Sequence, residues 1–415
     1  MDIIIGAGIS GLTYANFTNN NYIIFEADSE IGGYCKTIKQ DGFTWDYSGH
    51  FFHFQHQWIE DYITKNIAVD SILKCKKETQ IKYNDRYIDF PFQKNIHQLE
   101  QQEFIDCLYD LFEEKEEEIS NFKNMLYVKF GKSIANKFLI PYNEKLYACD
   151  LNTLDVGAMG RFFPHANKEE IISNFKKTDT NSYNSYFTYP RGGAIEYVKS
   201  LAHKLDQDKL FLNERVKSID TKNKVVTINS RELKYDNIIS SIPFPALLSL
   251  CKIEYDKEVY TWNKVLVFNL GFDKKGNDKK NNWVYFPEKE YCFYRIGYYD
   301  NIFNDDRMSL YVELAFKKDD IIDVEFCKKQ VLIDLEKAGV VSGQKLISSH
   351  SVIMNPAYVH IKQESIADVN LKKDLLASYG VYSIGRYGSW TYSSIEDNMI
   401  EAINLSKKIN SKDQC

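Results

Sequence analysis

The chain has no excess of basic residues: across 415 positions, 58 Asp and Glu outnumber 52 Lys and Arg, for a formal net charge of −6. A nucleic acid as main partner calls for a cationic surface, so that class is set aside. No apolar run approaches the ~18 residues that a membrane helix needs, and no span is expected. The eight cysteines lack CxxC or any other metal-like spacing and read as reduced thiols of a cytoplasmic protein. A secretory leader is not expected ahead of a motif that begins at residue 6, and Asp2 has the wrong charge for one. Cys415 is the last residue, not the fourth from the end, so prenylation is not expected either. No period repeats, and no low-complexity linker divides the chain. What is there is globular, 44% hydrophobic and 27% charged, in a length that predicts more than one core.

The informative stretch is the first fifty residues. Asp2 to Ile5 is a short apolar run that opens into Gly6-Ala7-Gly8-Ile9-Ser10-Gly11 and a helix-compatible segment. This predicts strand, glycine turn and helix: Gly6 for the tight turn, Gly8 for close approach of a pyrophosphate, Gly11 for helix-on-strand packing. The free amides at the helix start would face the phosphates. Tyr22 to Phe25 reads as the second strand and ends in Glu26, twenty residues after Gly6, where a carboxylate binds the ribose of an adenine dinucleotide. A second glycine pair, Gly32-Gly33, follows, leading into Cys35-Lys36-Thr37. Together these stretches resemble the extended FAD fingerprint of amine oxidase-type flavoproteins, and FAD is expected rather than NAD.

Further along, His50, His53 and His56 are spaced at i, i+3 and i+6 without an acidic or sulfur ligand arranged with them, so no metal is expected. Residues 79–92 predict a hairpin turning at Asn84-Asp85. A helical pattern runs from His97 to about Lys137, and Pro141 is expected to stop it. Residues 168–182 are polar, a candidate mobile lid. Tyr189-Pro-Arg-Gly-Gly193 predicts a turn into a helix, and residues 209–242 return to strands. The stretch 259–315 gives alternating strands broken by a loop, Asp273 to Asn282, expected to be exposed. The fold class expected is α/β. A Rossmann-type FAD-binding domain would be assembled from 1–75, 190–250 and 376–415. A substrate domain would be inserted into it: an antiparallel sheet from 76–95 and 251–375, and a helical subdomain from 96–189.

Three later motifs carry a narrower resemblance. Pro141-Tyr-Asn-Glu-Lys-Leu-Tyr147 resembles the helix-end segment of UDP-galactopyranose mutases, in which one aromatic stacks on the nucleotide base and a second lines the sugar site. Trp283-Val-Tyr-Phe-Pro with Tyr294-Arg295-Ile296 resembles the strand that offers an arginine to the substrate diphosphate. Gly385-Arg386-Tyr387-Gly388-Ser389-Trp390-Thr391-Tyr392 resembles the C-terminal flavin signature. The resemblance implies a pyranose–furanose mutase of a nucleotide sugar, in a glycan-precursor pathway such as polysaccharide biosynthesis. The reduced flavin would form a covalent sugar adduct at N5, with no net redox.

It further implies site residues. His50, Arg295, Arg386 and Tyr392 would be catalytic, and Tyr142, Tyr147, Arg191, Arg295 and Tyr392 would bind substrate. The cofactor would be held by Gly6, Gly8, Gly11, Glu26, Gly32, Gly33, Lys36, His50, Val216, Gly385 and Arg386. The family's phosphate-binding tyrosine after the Gly-Gly turn is Ala194 here, the arginine usually upstream of that turn has no counterpart, and an aspartate two positions past the last tyrosine is Ser394. Nucleotide and sugar therefore stay open, as does oligomeric state, a homo-oligomer included. The alternative is an amine oxidase-type oxidase or desaturase, which shares every FAD motif.

Overall fold

The computed structural model describes residues 1–113, 118–176 and 185–412. Five parallel strands form one sheet in the order Val381–Ser383, Asn237–Ser240, Asp2–Ile5, Tyr22–Phe25, Leu210–Phe211. Asp2–Ile5 lies at the centre with all four residues buried, and its apolar side chains explain the place. Asp2 is fully buried too, but Tyr14 Oη donates to it at 2.6 Å and Asn237 Nδ2 at 2.9 Å, so its carboxyl group pins the helix and the neighbouring strand to the sheet. The helix Ile9–Phe17 follows the glycine turn and packs against the C-terminal helix Ile395–Lys412.

The second sheet has seven strands, in the order Leu346–Met354, Asn263–Phe272, Ser309–Lys317, Arg295–Tyr298, Trp283–Tyr285, Thr79–Tyr83, Arg86–Asp89. The expectation of an antiparallel sheet needs one correction: Trp283–Tyr285 pairs with Thr79–Tyr83 in parallel. This happens because the two strands come from different passes of the chain, not from a hairpin. The hairpin at 79–92 is present, with Asn84 and Asp85 both at positive φ, as a tight two-residue turn requires. The loop Asp273–Asn282 ends differently from its expected exposure. Asn281 and Asn282 are buried, because Asn281 donates to Gln80 and the Glu78 amide donates to Asn282.

Three helices, Gln101–Phe112, Phe122–Ile134 and Ile140–Tyr147, cover one side of this sheet. Pro141 does not stop the helical run. Residues Ala135–Leu139 form a π-turn that leads straight into Ile140–Tyr147, and the wider turn accommodates the amide that proline lacks. The polar stretch 168–182 is also not simply a loop. Lys168–Asn174 is a helix with an Asn167/Glu170 capping box, and Asn174 Nδ2 donates to Lys94 O at 2.8 Å. Residues 177–182 lie outside the described residues.

Candidate functional site

At the carboxyl ends of the parallel strands lies a cavity of about 790 Å³. Ile5 and Gly6 reach it from the central strand, Phe25 and Glu26 from the next, Ser241 and Ile242 from the turn after Ser240, and Gly385 and Arg386 from the turn after Ser383. A doubly wound sheet offers its ligand site there. A Cβ on Gly11 would stand 2.1 Å from the Gly6 carbonyl oxygen, so only glycine lets the helix close on the strand. At Gly8 and Gly33, both on the lining, a Cβ would meet nothing nearer than 4.0 and 3.8 Å; the space above them is open. Glu26 is fixed at the rim: Ala7 N donates to its Oε2 at 2.7 Å and Asp28 N to its Oε1 at 2.9 Å. Its remaining lone pairs are free for hydroxyl donors.

The other wall comes from the Ser48–His50 loop, Arg295, Tyr358, Arg386 and Tyr392. Arg295 and the fully buried Glu313 are direct partners in the mixed sheet and form a two-pronged ion pair, Nε to Oε2 at 2.5 Å and Nη2 to Oε1 at 2.8 Å. Ser48 Oγ also donates to Glu313, tying the loop to the sheet. Burial is the largest single influence and disfavours the Arg295 cation, but Glu313 together with Tyr311 and Tyr358 leaves the guanidinium pKa raised.

Arg386 has no carboxylate partner among the described residues. Its guanidinium lies 4.3 Å from the Tyr392 ring centroid and 5.3 Å from that of Tyr358, it donates to Ser393 O at 3.4 Å, and its Nε is buried without an acceptor. His50 is half-buried, with its Nδ1 shut off from solvent and unpartnered; desolvation first, then Arg386, lower its pKa to about 4, so the ring is neutral at pH 7. Open glycines, an anchored carboxylate, and unpartnered Arg386 and His50 nitrogens are what a flavin dinucleotide would need of this cavity.

Beyond Arg295 lies a tyrosine cluster. Tyr142 packs edge-on to Tyr285 at 5.1 Å and to Tyr294 at 6.2 Å, and the Tyr147 and Tyr294 hydroxyls are buried without partners. Burial raises the hydroxyl pKa of each of these tyrosines, so they stay neutral donors.

Of the residues expected at the site, the cavity lining holds Gly6, Gly8, Glu26, Gly33, His50, Val216, Arg295, Gly385, Arg386 and Tyr392. Gly11 lies behind it, in the helix–strand contact. Gly32 is a turn residue whose amide donates to Ala7 O at 2.9 Å, and a Cβ there would meet Ile195 at 3.1 Å. Lys36 is not on the lining; its ammonium pairs with Asp28 and, at 3.8 Å, with Glu30, because the Gly32-Gly33 turn brings it back beneath those acids. Arg191 is exposed and off the lining: it follows the strand Tyr186–Pro190, which runs along Ile72–Lys76, and its amide donates to Ser71 O. Tyr142 stands in the tyrosine cluster and Tyr147 packs edge-on to Tyr358 at 5.9 Å, both off the lining.

Sequence reasoning passed over Glu313 and Tyr358. A glutamate among the apolar residues of Ser309–Lys317 was the available signal for the first. Tyr358, stacked on Tyr392 at 5.9 Å, had none beyond its place after the long strand Leu346–Met354.

Residues 10–346 match the family of flavin-containing amine oxidoreductases. The fold is similar to that of a reduced UDP-galactopyranose mutase (TM-score 0.91, 24% identity, covering 98% of this chain and 93% of that one). It is also similar to a protein from Exiguobacterium sp. 255-15 assigned as a protoporphyrinogen oxidase (TM-score 0.80, 15% identity, 99% and 98% covered). A putrescine oxidase bound to putrescine is a more distant match (TM-score 0.68, 14% identity, 99% and 98% covered).

Proposed function

The chain belongs to the flavin-containing amine oxidoreductases, and from that premise we propose that it is an FAD-dependent pyranose–furanose mutase of a nucleotide sugar, active with reduced cofactor and without net oxidation. The observation that carries this reading is a charge count on one wall: among the described residues, the half-buried guanidiniums of Arg295 and Arg386 share that wall, and only Arg295 has a carboxylate partner, Glu313. A surplus cation suits an anionic substrate. The putrescine of the oxidase neighbour is a diamine, which this wall would repel.

Gly6, Gly8, Gly33 and Glu26 would hold the adenosine and diphosphate side of FAD, with Val216, Gly385 and Arg386 further along and His50 beside the ring system. When bound and reduced, the flavin supplies an electron-rich nucleophile for the anomeric carbon of a sugar. The chain's residues do the rest. Two of the five N–H donors of Arg295 are taken by Glu313, and three remain to bind the departing diphosphate. The Tyr358 and Tyr392 hydroxyls add donors at the same wall, and the clustered rings of Tyr142, Tyr285 and Tyr294 exclude water. Neutral His50 adds no second positive charge beside Arg386.

The test is to incubate the dithionite-reduced and the oxidised enzyme with UDP-, GDP- and dTDP-sugars and to chromatograph the products. Ring isomers formed only by the reduced enzyme are expected. Oxygen-dependent peroxide release from an amine or lipid, without isomer, would replace the mutase by the oxidase reading.

A further inference from the structure

Lys77 stands between the strands Ile72–Lys76 and Thr79–Tyr83, half-buried. Its ammonium lies 5.1 Å from the Phe90 ring centroid and 5.7 Å from that of Trp283, and it makes no hydrogen bond and no ion pair among the described residues. The neighbouring carboxylate is engaged elsewhere: Glu78 pairs with Lys76 at 3.0 Å and Lys280 at 3.6 Å. Burial alone lowers the Lys77 pKa, to about 8, with no charged neighbour acting to restore it. His53, next to Lys77, is neutral and turns its Nδ1 to Tyr186 O at 3.0 Å. The two aromatic faces favour a cation there, but no anion meets it among the described residues.

The rings that frame it continue the substrate wall. Phe90 packs on Tyr285 at 4.9 Å, Trp283 Nε1 donates to Tyr285 Oη at 2.8 Å, and Tyr285 is the register partner of Arg295. Lys77 is off the lining of the cavity at the parallel strands. We propose that Lys77, framed by Phe90 and Trp283, is a second oxyanion subsite at the far end of this wall, taking a phosphate or carboxylate group of the substrate distinct from the one held at Arg295. The inference deepens the mutase reading and rests on it only for the molecule that carries the oxyanion.

Competitive acetylation of the FAD-loaded full-length protein, read lysine by lysine by peptide mass spectrometry across pH, tests the subsite directly. Inorganic pyrophosphate or glucuronate should slow labelling of Lys77 and move its midpoint above about 8, since an anion favours the charged form. Protection by pyrophosphate alone assigns a phosphate, protection by glucuronate alone a carboxylate, and protection by neither overturns the proposal. In parallel, Lys77→Met should weaken UDP, or UDP-glucuronate if the group is a carboxylate, by roughly 10- to 100-fold, as expected for a charge-assisted contact. Uridine affinity should not change, and Lys77→Arg should restore part of the loss. Equal affinity in Lys77→Met overturns the subsite while leaving the mutase untouched. Protection of Lys77 in a protein that isomerises no nucleotide sugar leaves the subsite standing and removes the mutase.

Discussion

Glu313 is fully removed from solvent, and Arg295 meets both of its oxygens there while Ser48 adds a third contact. Removing either partner strands a buried charge. Arg295→Met or Glu313→Leu alone should therefore cost about 3–5 kcal/mol of stability, whereas the double variant recovers most of it. The double variant should nevertheless bind UDP more weakly by about 1.5–3 kcal/mol, because the diphosphate loses its fork. Urea unfolding and calorimetric titration separate the two effects, and a double variant that binds UDP normally would move the diphosphate away from Arg295. A second buried acid gives a pH dependence. Burial raises Asp300, beside Lys275 at 3.9 Å, from 3.8 to about 7. A carboxyl raised in the folded state stabilises fully below its unfolded pKa and loses that contribution as pH climbs through the folded one. Asp300→Asn should thus have a higher Tm than the parent at pH 8 and no advantage at pH 4. Arg295 was legible through the resemblance of Trp283-Val-Tyr-Phe-Pro and Tyr294-Arg295-Ile296 to a strand that offers an arginine to a diphosphate. Glu313 was not: eighteen positions separate the pair, and only the strand register joins them.

The strand, turn and helix at Asp2–Phe17 were legible because three glycines there do three separable jobs, and two variants distinguish two of them. Gly11→Ala drives a methyl into the Gly6 carbonyl, at 2.1 Å, and should prevent the helix from seating, giving insoluble or flavin-free protein. Gly8→Ala meets only ordinary contacts within the fold, so its methyl enters the cavity instead. The expected product is soluble protein with an unchanged circular dichroism spectrum and a reduced flavin-to-protein absorbance ratio. A fully yellow Gly8→Ala would show that no phosphate approaches that turn. The helix Ile140–Tyr147 was less legible. Proline usually ends a helix, and nothing local announces the π-turn that carries the chain past Pro141. What fixes this helix is distant: Lys145 Nζ meets the carbonyls of Phe286, Glu288, Tyr291 and Phe293 at 2.6–3.0 Å, holding the helix that contains Tyr142 and Tyr147 against the loop that leads into the strand of Arg295.

The chain crosses the parallel sheet at both of its ends, and this long-range pairing is what periodicity could not supply. Asp2–Ile5 sits beside Asn237–Ser240, which in turn sits beside Val381–Ser383, so the sheet closes only when the last fifth of the chain arrives. The glycines and Glu26 named one wall of the cavity and Arg386 the other. That they face each other follows from the crossing, not from either motif. The terminal helix Ile395–Lys412 then locks the arrangement: Met399, Ala402 and Ile409 join the core of Ile4 and Leu12, and Asn410 Nδ2 donates to Phe17 O at 3.1 Å. Glu396 also accepts from the Gln55 and His56 amides at 2.8–3.1 Å, which anchors the loop beyond His50. The mixed sheet is different, since all seven of its strands lie between Thr79 and Met354. A chain ended at Tyr379 therefore keeps every strand of the mixed sheet and loses an edge strand, the Arg386 wall and the terminal helix of the other. It should retain strand signal in the far-ultraviolet but purify without flavin, and its unfolding should lose the transition that added FAD raises in the full chain. A truncated protein that still binds FAD stoichiometrically would mean that the amino-terminal glycine turn and Glu26 suffice for the cofactor, and that Arg386 serves the substrate alone.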